Sequence, residues 1–181
     1  MPRKFSFGPA ITLKGRKYKG LRGFAGKPFH PPLTDVPVTA YLFAAVFDVW
    51  SALRDEPWMR DAASYLLVMG FAVSLLAVLT GWADWHRSSQ VGTQARRTIN
   101  AHAVIMIAAT VFVLVDLLAR TGDAKPTPGG VAALSVIAAG LTMLGSTYGG
   151  SLVFDYGFNV ETSGDHPVWH ESEQDVYPGA H

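Results

Sequence analysis

Four stretches of this chain lack the polar positions that recur every three to four residues along a soluble amphipathic helix. Val36–Leu53 holds one charge, Asp48, and Asn100–Ala119 holds one, Asp116; Ala62–Ala83 and Gly129–Phe154 hold none. At 1.5 Å per residue these stretches cover roughly 27–38 Å, enough to cross a hydrocarbon core of about 30 Å. The pattern predicts an all-α integral membrane protein with spans over 36–53, 62–85, 99–119 and 130–154. The connections RDEPWMRD and RTGDAKPTPGG carry Pro and Gly turn signals and suit antiparallel neighbours, giving an up-down-up-down four-helix bundle. Outside the bundle lie a basic segment, 1–35, and an acidic tail, 155–181.

Charge sets the expected orientation. Eight of the fifteen Lys and Arg precede residue 30, and three more (Arg87, Arg96, Arg97) lie between spans two and three. The other two connections hold only Arg54 with Arg60, and Arg120 with Lys125. By the excess of positive residues on the inner side, both termini and the middle connection are expected in the cytoplasm, with the protein in the plasma membrane. The first 30 residues have no apolar run of signal-peptide length and read as a basic surface segment drawn to anionic lipid, not as a nucleic-acid arm. Composition narrows the chemistry further: charged residues are 16% of the chain, below the quarter usual for soluble domains. With no cysteine, disulfides, thiolate metal sites and thioether-attached haem are excluded.

Within the spans, Gly145 and Gly149 form a small-xxx-small pair, and with Gly150 they mark a face where another backbone could approach closely. Trp50, Trp58, Trp82 and Trp85 fall near span ends and read as interfacial anchors.

An up-down bundle brings four polar groupings to the cytoplasmic end: PFHPPLTD with His30 and Asp35, GWADWHR with Asp84 and His86, RRTINAH with Arg96, Arg97 and His102, and YGGSLVFDYG. Two imidazoles on facing helices can ligate a haem b, and His102 with either His30 or His86 is such a candidate set. His30 lies between Phe29 and two prolines, a setting expected outside the regular helix. The alternative is a hydrogen-bonded polar cap of His30, Asp35, Asp84 and Arg96. Asp48 and Asp116 sit toward the other end, where a proton or cation pathway is conceivable; pairing with Arg54 or Arg120 is the simpler expectation.

Taken in order, GKPFHPPLTDVPV, GWADW, RRTINAHA and GGSLVFDYGFNV resemble a bacterial four-span membrane domain of unassigned function, over about Gly26 to Val160. That domain is often actinobacterial and sometimes fused to Rieske-type iron–sulfur domains, which implies a setting in membrane electron transfer. The chain departs from the family pattern at three places. Lys27 stands at its first histidine, Met106 at an asparagine one turn after His102, and Ser151 at a histidine after the last Gly pair.

The acidic tail holds His166 and His170 at metal-ligand spacing, but Pro167 argues against a helix there; Trp169 and Tyr177 suit docking on a partner. No nucleophile elbow or phosphate-binding Gly motif is present. The resulting expectation is a non-catalytic membrane subunit of a respiratory or electron-transfer complex, contacting other subunits through its tails. A bis-His haem b protein is one alternative, and a small transporter or proton-conducting protein a second.

Overall fold

The computed structural model describes Leu21 and residues 27–122 and 127–160. It contains four helices: α1 (His30–Arg54), α2 (Pro57–Ser88), α3 (Gln94–Thr121) and α4 (Pro128–Phe154). All four are long and apolar enough to cross a membrane. The expectations for the tails, including His166, His170, Trp169 and Tyr177, lie outside the described residues.

Every helix is longer than its apolar stretch. α1 begins at His30, six residues before the expected start, so His30 is helical after all. The prolines that argued otherwise, Pro31 and Pro32, occupy the first turn, where a missing N–H costs nothing and the fixed φ suits the helix. Pro37 lies deeper and removes the amide that would bond the Leu33 carbonyl, yet α1 continues through it. The expected eight-residue connection after span one shrinks to Asp55 and Glu56, because Asp55 takes the left-handed conformation (φ 54°) and Pro57 opens α2. Thr93 and Thr127 cap α3 and α4, their hydroxyls accepting from the Arg96 and Gly130 amides.

α1 packs on α2 and α4, and α3 on α4 and α2, which leaves α1 and α3 diagonal across the bundle. Apart from Leu67 and Val131, the inward residues are small or polar, and they recur at heptad-like spacing: Ala63, Leu67, Gly70, Ser74, Ala77, Gly81 and Asp84 on α2, and Val131, Ser135, Ala138, Thr142, Gly145 and Gly149 on α4. Large apolar side chains point the other way; Phe43, Leu79, Val104, Leu118 and Met143 are all exposed. In water this arrangement would leave an apolar surface far larger than a monomer tolerates. In lipid it is the expected one, since small residues allow close backbones and hydrocarbon covers the rest. The protein is therefore a membrane-integral four-helix bundle.

Candidate functional site

The beginnings of α1 and α3 and the ends of α2 and α4 meet at one end of the bundle. There the rings of His30 and His102 come together across the diagonal, with centroids 6.5 Å apart and planes at 89°. Each ring is held by a neighbouring helix. His30 Nδ1 lies 2.9 Å from the Ala77 carbonyl oxygen and 3.2 Å from Thr80 Oγ1 on α2. His102 Nδ1 lies 2.8 Å from the Gly145 carbonyl oxygen on α4. A carbonyl oxygen only accepts, so Nδ1 carries the proton in both rings, and in the neutral imidazole Nε2 keeps the lone pair.

Two glycines make this geometry sterically feasible. A Cβ at Gly81 would lie 2.8 Å from His30 Cε1, and one at Gly149 would lie 3.2 Å from His102 Cε1. Gly145 plays a different part, since a Cβ there would run into Met106. A Cβ at Gly150 would meet only Phe154 of its own helix, at 4.0 Å.

The remaining polar residues of this end divide into two sets. Asp84 is buried one turn beyond Gly81. Arg96 instead closes the α2–α3 junction: Nη1 donates to the Trp85 carbonyl at 2.8 Å and to Ser89, and the guanidinium lies 3.7 Å from the Trp85 ring centroid. Trp85 Nε1 donates to Asn100 Oδ1 at 2.8 Å, so this tryptophan braces two helices while Trp50, Trp58 and Trp82 are exposed. Arg97 is exposed and bonds Gln94 of its own helix, and Asp35 is exposed. His86 is also exposed, its ring 6.0 Å from that of Trp82 and outside the pair.

A second polar centre lies toward the opposite end, about 21–27 Å away by the rise from His102 to Asp116 and from His30 to Asp48. Arg120 donates through Nε and Nη2 to the two oxygens of Asp116 at 2.9 and 3.0 Å, and through Nη2 to Asp48 Oδ2 at 2.5 Å. Its Nη1 donates to Ser64 Oγ at 3.0 Å, and the Ser135 hydroxyl lies between the two carboxylates, 2.8 Å from Asp116 Oδ2 and bonded to Asp48 Oδ2. All four helices thus contribute. Arg54 takes no part and is exposed. Six residues along a helix is a turn of about 240°, which carries Arg54 off the face that bears Asp48.

Sequence alone did not reveal the partners Ala77, Thr80, Ser64 and Ser135. Their signal was the recurrence of small and hydroxyl residues at three- and four-residue steps on α2 and α4. That recurrence marks the inward face of a membrane helix, where large apolar residues mark the outward one.

Among the described residues no group of three or more His, Asp or Glu is arranged to hold a metal ion. No curated protein matches the chain, and no solved structure matches it. Residues 26–162 match the family model described as predicted membrane protein DUF2231, a stretch that holds the paired histidines, the buried carboxylates and all four helices. The chain belongs to this family of predicted membrane proteins.

Proposed function

We propose that this chain is a subunit of a membrane redox assembly that holds haem b between His30 and His102. The observation that carries this reading is the pair itself: two imidazoles on diagonal helices, each with Nδ1 tied to a backbone carbonyl. A carbonyl on Nδ1 fixes the tautomer, orients the ring and leaves Nε2 as the donor, which is the usual support of a metal-ligating histidine. Two imidazoles that share one metal through bonds of about 2 Å have ring centroids roughly 6–6.5 Å apart. Two donors also suit haem better than a bare ion, because the macrocycle supplies the other four nitrogens and needs only axial ligands.

Bound between these residues, the haem would supply one-electron transfer. The chain's own part is to hold and tune the site. The Ala77 and Gly145 carbonyls hold the Nδ1 protons and orient the rings, Gly81 and Gly149 leave space for them, and Asp84 lies buried one turn beyond Gly81. The expected cytoplasmic placement would put this centre within reach of a soluble or peripheral electron partner, with the charged tails as the docking elements.

The test is an absorption spectrum of the full chain, purified in mild detergent from its native membrane, oxidised and then reduced with dithionite. A Soret band with sharp reduced α and β bands is expected, lost or converted to a five-coordinate form in both His30→Ala and His102→Ala and unchanged in His86→Ala. A band that persists unchanged in both variants rules the pair out. Edge-to-face packing of the two rings accounts for the same spacing without a cofactor, and protein with no visible absorption would establish that reading instead.

A further inference from the structure

The second polar centre carries an inference independent of haem. We propose that Asp48 binds and releases a proton inside the membrane-spanning bundle, in a site built by Asp116, Arg120 and Ser135.

Asp48 is 1% exposed and Asp116 0%, and Arg120 is the cation paired to both. Two carboxylates against one guanidinium leave one negative charge over, in a bundle surrounded by hydrocarbon. The ion pairs of the two carboxylates are with Arg120. α2 offers the Ser64 hydroxyl and the Arg60 carbonyl, which accepts from Arg120 at 3.4 Å; the Arg60 side chain is half-buried and forms no ion pair with either carboxylate, and Asp61 is exposed. α4 offers Ser135 and has no Asp, Glu, Lys, Arg or His between Pro128 and Phe154. α1 offers Tyr41 two turns away, and Arg54 is exposed.

The hydrogen-bond count points to the same atom. Ser135 has one hydroxyl proton for two carboxylates, so it can donate to only one of them at a time. Both Asp116 oxygens are engaged by Arg120. Asp48 Oδ2 is engaged by Arg120 and Ser135, but Asp48 Oδ1 is buried with no hydrogen-bond partner. A bare carboxylate oxygen in that position is costly, since it has lost water and gained nothing. Protonation at Oδ1 removes the excess charge and leaves Oδ2 as a carbonyl that still accepts from Arg120 and Ser135. The step is a protonation only: a proton from water forms an O–H bond at Oδ1, the carboxylate loses its charge and no electrons move. Two like charges at one site favour uptake by one of them, and Arg120 keeps the other ionised.

Infrared difference spectroscopy of the full chain in detergent, titrated with acid and base, tests this. With 13C-aspartate labelling, a protonated-carboxyl C=O band that grows on acidification and shifts with the label is expected. Asp48→Asn should abolish it. Asp116→Asn leaves Asp48 alone with Arg120, so the band should persist but require a pH lower by about 1–3 units. A label-sensitive band absent from the wild type at every pH down to acid unfolding overturns the proposal, as does one that survives Asp48→Asn. Loss of the band in Asp116→Asn at every pH would assign the proton to Asp116 and overturn it equally. If Asp48→Asn does not fold, the wild-type titration and Asp116→Asn still decide.

Discussion

A guanidinium presents five N–H donors in a fixed fork, and Arg120 distributes them over three helices besides its own: Asp48 on α1, Ser64 and the Arg60 carbonyl on α2, and Ser135 on α4, together with a two-point contact to Asp116. Removing it leaves two buried carboxylates facing each other with no cation. Breaking such a pair by deleting one partner costs about 3–5 kcal/mol, because the charge left behind has neither water nor counter-ion. Arg120→Gln should therefore lower unfolding stability in detergent by about that amount. Arg120→Lys should lose less, keeping the charge but not the fork that reaches both carboxylates. Chemical or thermal unfolding of both variants checks the order; a Gln variant within about 1 kcal/mol of the wild type would show that the ion pairs are not held as described. The sequence disclosed half of this centre. Asp116 and Arg120 are one turn apart on one helix and could be paired by counting residues. Asp48 reaches Arg120 only because α1 and α3 face each other across the bundle core, which no local spacing encodes.

At the scale of the helix, what could be read from sequence was length and apolarity, and what could not was which face turned inward. Hydrocarbon and a close-packed membrane interior are both apolar, so the polar stripe that marks the outer face of a soluble helix is missing here. The inward faces are marked by residue size, and glycine is ambiguous in that code. Gly81 and Gly140 look equivalent in sequence, but they differ in space. A Cβ at Gly81 would meet the His30 ring, which cannot easily move because Nδ1 is bonded to Ala77; a Cβ at Gly140 would meet nothing within 4 Å. Gly81→Ala should therefore cost about 1–3 kcal/mol through forced displacement of a packed ring. Gly140→Ala should be neutral or slightly stabilising, by up to about 1 kcal/mol, since alanine is the better helix former. Melting of the two variants in the same detergent separates them, and equal behaviour would mean that α2 does not press on His30. The helix ends illustrate the same limit from the other side. Pro31 and Pro32 look like helix breakers in a string, yet in the first turn of α1 they are helix starters, and that first turn holds His30.

At the scale of the whole molecule, the two polar centres lie at opposite ends of one bundle, so the direction in which the bundle sits decides what each can do. The haem site proposed at His30 and His102 would meet partners on one side of the membrane, and the proton site proposed at Asp48 lies closer to the other. The sidedness rests on charge. Eleven Lys and Arg belong to the end where α1 begins (eight before residue 30, then Arg87, Arg96 and Arg97), against four (Arg54, Arg60, Arg120, Lys125) at the other end. Structure sharpens this count. Arg120 is buried in its ion pairs and does not face solvent, and Arg96 is held against Trp85, but Arg54 and Arg97 are exposed. Discounting the two engaged residues leaves ten against three, and the bias is unchanged. Positive residues near span ends are retained in the cytoplasm during insertion, so both termini should lie there. Single cysteines make a clean test because the chain has none of its own. A cysteine placed after Val160 should resist a membrane-impermeant maleimide in intact cells and react once the membrane is permeabilised. One replacing Lys125 should react from outside without permeabilisation. The reverse pattern would turn the bundle over, placing the paired histidines outside and Asp48 nearer the cytoplasm, and an electron partner for His30 and His102 would then have to be sought on the outer face.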